Sequence, residues 1–176
     1  MHFVTYANKR QGLFDELVKN EFGIKVDVLG MGKKWNGFTD KYKGVLEYCN
    51  TLHNDEYLVF LDGFDTKIQR DPRDVLELFR TYDCDILVSK DPTPFGQYIS
   101  KKIFGTCNNG SIANSGMYMG SCKHIKEFVK AALAEKTDDD QRSMNTLCSK
   151  FNIAVDQHDL IFHNKHFFKK EKQTSL

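Results

Sequence analysis

Hydrophobic positions along the chain fall into short runs separated by stretches with helical spacing. HFVTYA, IKVDVLG, YLVFL and DILVSK read as strands, and between them residues 11–20, 40–52 and 72–82 read as helices. In the third of these, PRDVLELFRTY, Pro72 stands near the first turn while Val75, Leu76 and Phe79 share one face. Repeated strand–helix–strand order predicts an α/β fold, with a largely parallel sheet covered by helices on both faces. YLVFL has no polar alternation, as expected of a strand buried on both sides.

From Asp91 to Gly110 the pattern breaks: Pro92, Pro94, Gly96, Gly105 and Gly110 predict a long excursion over one end of the sheet. Beyond it IANSGMYMG reads as a strand and residues 123–135 as a helix. The acidic run TDDDQ then opens a helix reaching about Phe151, and the short extended pieces NIAVD and LIFHN follow. Residues 1–168 are expected to form one domain and residues 169–176 a flexible tail.

A formal net charge of +1 argues against a dedicated nucleic-acid binder, and no apolar run approaches the roughly 20 residues of a membrane span. The start of the chain lacks the apolar core and cleavage site of a signal peptide. Cys49, Cys84, Cys107, Cys122 and Cys148 are odd in number and contain no Cys-x-x-Cys pair. That spacing predicts reduced thiols and a cytoplasmic location, with neither a disulfide framework nor a zinc site.

The chemistry concentrates where YLVFL runs into Asp62 and Asp65. A continuing strand would send carboxylates at this spacing to opposite faces, so Gly63 is expected to supply a bend that lets them converge. Ligands of open α/β sheets sit beyond the carboxyl ends of the strands. Two close carboxylates need a neutralising cation, and hard oxygen donors suit manganese or magnesium shared with substrate phosphates. The alternative is a tight Asp-Gly turn in which Asp65 caps the next segment.

Four segments, LGMGKKWNG (29–37), FLDGFD (60–65), NSGMYMG (114–120) and DDDQ (138–141), occur in the order and spacing of one family. Over roughly residues 3–163 the chain resembles the glycosyltransferase domain of procollagen lysyl hydroxylases and the related collagen galactosyl- and glucosyltransferases. The resemblance implies a GT-A nucleotide-sugar fold, a UDP-sugar donor and Mn2+, or Mg2+ in its place. Asp62 and Asp65 match the family's Asp-x-x-Asp metal motif.

The resemblance also implies donor contacts from Thr5 and Tyr6 at the end of the first strand, from Trp35 and Phe64, and from the Asn114–Ser115–Gly116 turn. By the residues alone Trp35 is either a base-stacking platform or a core anchor. Lys41 or Lys43 is placed to approach the diphosphate. Asp139 and Asp140 match positions for sugar binding or catalysis, although their local reading is a helix cap with a favourable dipole interaction; three successive aspartates exceed what one cap needs. For the third metal ligand the family uses a histidine of a His-x-Asn-Gly segment, which this chain lacks. His163, followed by Asn164, is the first candidate and His166 the second.

These expectations add up to a metal-dependent glycosyltransferase moving a hexose from UDP-glucose or UDP-galactose to the hydroxyl of a glycan or protein, such as hydroxylysine. A metal-dependent nucleotide phosphohydrolase and a UDP-sugar-binding module without catalysis are the rival readings. Product analysis separates the first rival, and turnover the second.

Overall fold

The computed structural model describes residues 1–93, 97–164 and 174–175. The first half contains β1 (His2–Tyr6), α1 (Phe14–Val18), β2 (Val26–Leu29), α2 (Thr39–Cys49), β3 (Tyr57–Asp62), β4 (Thr66–Lys67) and α3 (Val75–Phe79). There follow β5 (Ile86–Lys90), α4 (Gln97–Phe104), β6 (Ala113–Ser121), α5 (Cys122–Ala134), α6 (Asp140–Leu147), β7 (Ile153–Val155), β8 (His163–Asn164) and β9 (Thr174–Ser175). The tail expected at 169–176 lies outside the described residues except for β9. Among the described residues no helix is long and apolar enough to cross a membrane.

Six strands form the main sheet in the order β2-β1-β3-β6-β5-β7, and all but β6 run the same way. Alternate residues of β3 serve opposite faces, which is why YLVFL carries no polar alternation. Leu58 and Phe60 join Val4, Val88 and Tyr118 in a core closed by α2, α5 and α6. Val59 and Leu61 join Phe3, Leu87 and Met119 in a second core under α1 and α3. Each large apolar side chain buried this way contributes about 1.5–3 kcal/mol.

Two elements differ from their expected form. The segment expected as one helix over 72–82 divides into a 3-10 turn at Pro72–Asp74 and the helix α3, because Asp71 accepts from Arg73 N and tightens the first turn. The excursion contains the helix α4, which buries none of its side chains and so was hidden behind the flanking prolines and glycines. It packs along α6.

The antiparallel β6 decides where the site lies. Wedged between β3 and β5, it brings its first residues to the edge where its neighbours end. Its register against β5 jumps at that edge: Val88 faces Tyr118, but Ser89 faces Asn114. Ser115, Gly116 and Met117 are therefore left over against β5 as a bulge, and only Met117 is paired on the β3 side.

The cysteine expectation needs correction. Cys107 and Cys148 form a disulfide across 41 residues, leaving Cys49, Cys84 and Cys122 as thiols. Packing of α6 beside β6 brings its end to the lead-in of β6, a proximity that sequence spacing does not encode. The bond also removes the thiol argument for a reducing compartment.

Candidate functional site

β3 ends at Asp62, which stands opposite Tyr6, the last residue of β1. The backbone turns through Gly63 before β4 begins. Glycine is required there by close approach: a Cβ would lie 2.8 Å from Tyr6 O and 3.0 Å from Thr5 Oγ1. The bend expected of Gly63 is present, and its cause is crowding against β1. After the turn Asp62 and Asp65 line the same cleft of about 220 Å³.

The cleft's opposite wall is aromatic. Tyr6 is buried, its ring wedged where a Cβ on Gly30 would approach within 2.4 Å and one on Gly44 within 2.9 Å, so both glycines make room for it. Trp35 leans on Tyr6 with ring centroids 5.8 Å apart and meets Phe38 edge to face at 5.7 Å. Trp35 is 36% exposed and Phe38 50%, which places them at the rim of the cleft rather than in the core. Phe64 and Asn8 complete the lining.

Between the aromatic wall and the aspartates stands Lys41, from the first turn of α2. Its ammonium lies 2.6 Å from Asp62 Oδ2 and 3.4 Å from Asp140 Oδ2, and all three side chains are under one-fifth exposed. Burial alone would lower the Lys41 pKa, but the charges of Asp62 and Asp140 outweigh it and hold the ammonium well above its ordinary value. Burial pushes the Asp140 carboxyl up, opposed by Lys41 and by a hydrogen bond from Ser115. Tyr42 OH donates to Asp140 O at 2.8 Å, tying α2 to the start of α6. Of the two candidate lysines, Lys41 reaches the carboxylates, while the more exposed Lys43 pairs with Asp40.

The three aspartates of the acidic run have three different partners. Asp139 is the N-cap of α6 and accepts from Arg142 N at 2.8 Å. Asp140 turns inward to Lys41 and Ser115. Asp138 accepts from Thr39 Oγ1 at 3.1 Å, across to α2.

In the bulge, Asn114 Oδ1 accepts from Gly116 N at 2.9 Å and Ser115 is buried. Lys41, Asp62, Asp140 and Ser115 thus meet in one cluster, and Tyr6, Trp35, Phe64 and Asp65 adjoin it along the cleft. Thr5 does not line the cleft; it is fully buried, and its Oγ1 has no hydrogen-bonding partner among the described residues.

His163 is not brought to the aspartates. Its Nδ1 lies 3.7 Å from Asp159 Oδ2, and among the described residues no group of three or more His, Cys, Asp or Glu assembles that could hold a metal. The second candidate, His166, lies outside the described residues. The donor set here is the carboxylate pair of Asp62 and Asp65, which fits a hard divalent ion that completes its shell with water and phosphate oxygens.

Reading the sequence missed Phe38, Asn8 and the separate role of Asp138. Phe38 carried one usable signal: an apolar residue inside the polar, glycine-containing stretch WNGFTD has no core to enter.

Residues 1–175 match the family model described as the PLOD GT domain. The chain is 24% identical over 190 aligned positions to the Caenorhabditis elegans protein named multifunctional procollagen lysine hydroxylase and glycosyltransferase, covering 92% of this chain and 25% of that protein. It therefore spans about a quarter of that relative's length. With a mixed α/β sheet of GT-A type and a match along nearly its whole length, the chain belongs to the PLOD glycosyltransferase-domain family.

Proposed function

We propose that this chain is a metal-dependent hexosyltransferase that takes glucose or galactose from a UDP-sugar and passes it to a hydroxyl of a glycan or protein acceptor. One observation carries the reading: a single cleft beyond the ends of parallel strands is lined by an aromatic wall, by Lys41 and by Asp62 and Asp65. Aromatic faces suit a nucleobase, and the carboxylates and ammonium suit a diphosphate held through a cation.

In this reading the exposed rings of Trp35 and Phe38 receive the uridine. Asp62 and Asp65 hold Mn2+ or Mg2+, which when bound stabilises, as a Lewis acid, the charge left on the departing diphosphate. Lys41 keeps its proton and adds a fixed positive charge beside the same oxygens. Asp140, oriented by Lys41 and Ser115, is placed to accept a hydrogen bond from a sugar or acceptor hydroxyl. The small residues Ser115 and Gly116 of the bulge offer backbone to the sugar without bulky side chains.

Titration of UDP with and without Mn2+ tests the donor half. Asp62→Asn and Asp65→Asn are each expected to abolish the metal-dependent part of the affinity while the melting temperature stays near that of the parent. Unchanged metal-dependent binding in both variants sinks the assignment. Product analysis with UDP-glucose and UDP-galactose tests the other half: transfer to a hydroxyl acceptor supports it, and phosphate release without transfer favours a phosphohydrolase.

A further inference from the structure

The aromatic rim sits on a loop that leads into α2 without supplying a side-chain cap for it. Phe38 occupies the N-cap position of α2, yet no side chain of the loop caps that helix. An orphan helix N-terminus is held by a hydrogen-bond acceptor, preferably an anionic one. Here the acceptor comes from 99 residues away: Asp138 Oδ1 lies 3.1 Å from Thr39 Oγ1 and 3.4 Å from Thr39 N, both of which donate to it.

The loop is shaped to admit this carboxylate. Gly37 has φ +138°, and a Cβ there would lie 2.2 Å from Asp138 Oδ2 and 2.6 Å from Oδ1. Any side chain at 37 would collide with the carboxylate as well as strain the backbone. Gly37 and Thr39 flank Phe38, and Trp35 packs on Phe38, so whatever fixes 37 and 39 fixes both exposed rings.

We propose that Asp138 is a positioning residue for the donor: it latches the acidic segment ahead of α6 onto the aromatic loop and holds Trp35 and Phe38 at the cleft. The inference rests on the donor-site reading for its functional consequence, but not for its structural one. It explains why the acidic run has a third member beyond the cap Asp139 and the inward-facing Asp140. It also joins the two sides of the site mechanically, because the residue that sets the rim is two positions from the one that meets Lys41.

Trp35 is the only tryptophan in the chain, so its fluorescence reports on the loop directly. Acrylamide quenching of the full chain, without substrate, should rise about two- to threefold in Asp138→Ala and in Gly37→Ala as the loop is freed. Asp138→Asn keeps an acceptor oxygen and should quench like the parent. Thr39→Val removes one donor without touching the backbone and should fall between; thermal melts check that each variant is folded.

For UDP-sugar transfer, Asp138→Ala should raise KM about two- to tenfold, the effect of one net hydrogen bond, with kcat nearly unchanged. Unchanged quenching in Asp138→Ala, an Asn variant that behaves like the Ala variant, or a fall in kcat at constant KM overturns the proposal. If the parent binds no UDP, the donor-site reading fails while the quenching series still decides the latch.

Discussion

Asp139 and Asp140 are adjacent in sequence and chemically alike, yet they face different surroundings. Asp139 meets a backbone N–H in its own helix, and Asn is as good a cap, so Asp139→Asn should change stability by no more than about 1 kcal/mol and leave transfer nearly intact. Asp140 is buried against the Lys41 ammonium, which lies 3.4 Å from its Oδ2. Asp140→Asn should therefore lower turnover on the order of a hundredfold, the scale of positioned acid-base groups, with UDP affinity little altered. Steady-state kinetics beside a UDP titration reads both. Equal, mild effects of the two substitutions would return the whole run to helix capping.

At the scale of elements, the loop between β2 and α2 is braced internally by Asp40, which accepts from Asn36 N at 2.8 Å. That backbone bond is the largest cause holding the Asp40 carboxyl below its ordinary value of 3.8; Lys43 adds to it and burial opposes it. A carboxyl whose pKa is lowered on folding stabilises the fold fully above its unfolded value, and the contribution is lost as pH falls through the folded value. Trp35 emission, followed from about pH 5 down to about pH 2, should show an acid transition that Asp40→Asn lacks. A transition of the same midpoint and size in both proteins would refute the brace. The bulge in β6 is the other element-level device: three residues without β5 partners let the strand depart from the ladder at Ser115 and Gly116 while the rest of it stays in the sheet.

At the scale of the molecule, the disulfide joins the lead-in of β6 to the end of α6, the two elements that deliver Ser115 and Asp140. Closing a loop of 41 residues removes about 4 kcal/mol of unfolded-chain entropy in the chain-entropy model. Cys107→Ser with Cys148→Ser should thus lose about 2–4 kcal/mol in urea unfolding. Stability equal to that of the parent would mean that the bond contributes nothing beyond the packing already present.

The sequence by itself determined the α/β class and most strands of the main sheet, and it pointed to the end of β3 as the candidate site. Apolar periodicity and turn residues are local quantities, and each strand and helix is largely written in its own span. Asp62 and Asp65 stood out as two carboxylates ending a buried run, but a tight Asp-Gly turn explains that spacing as well, and it was the four motifs in register that favoured a site. The tertiary structure alone decided which distant residues meet. Lys41 was separated from Lys43 by the direction each takes from α2, and Phe38 was found at the rim because the fold left it no core to enter. Asp138 was set on Thr39 where α2 meets the start of α6, and Cys107 on Cys148 by the packing of α6 beside β6, whose antiparallel course and register jump arise from pairing with strands far away in the chain. His163 shows the same limit from the other side: its sequence position suggested a ligand, and its neighbours in space gave it Asp159. Contacts across many residues depend on how whole elements stack, and no local pattern in the chain encodes that stacking.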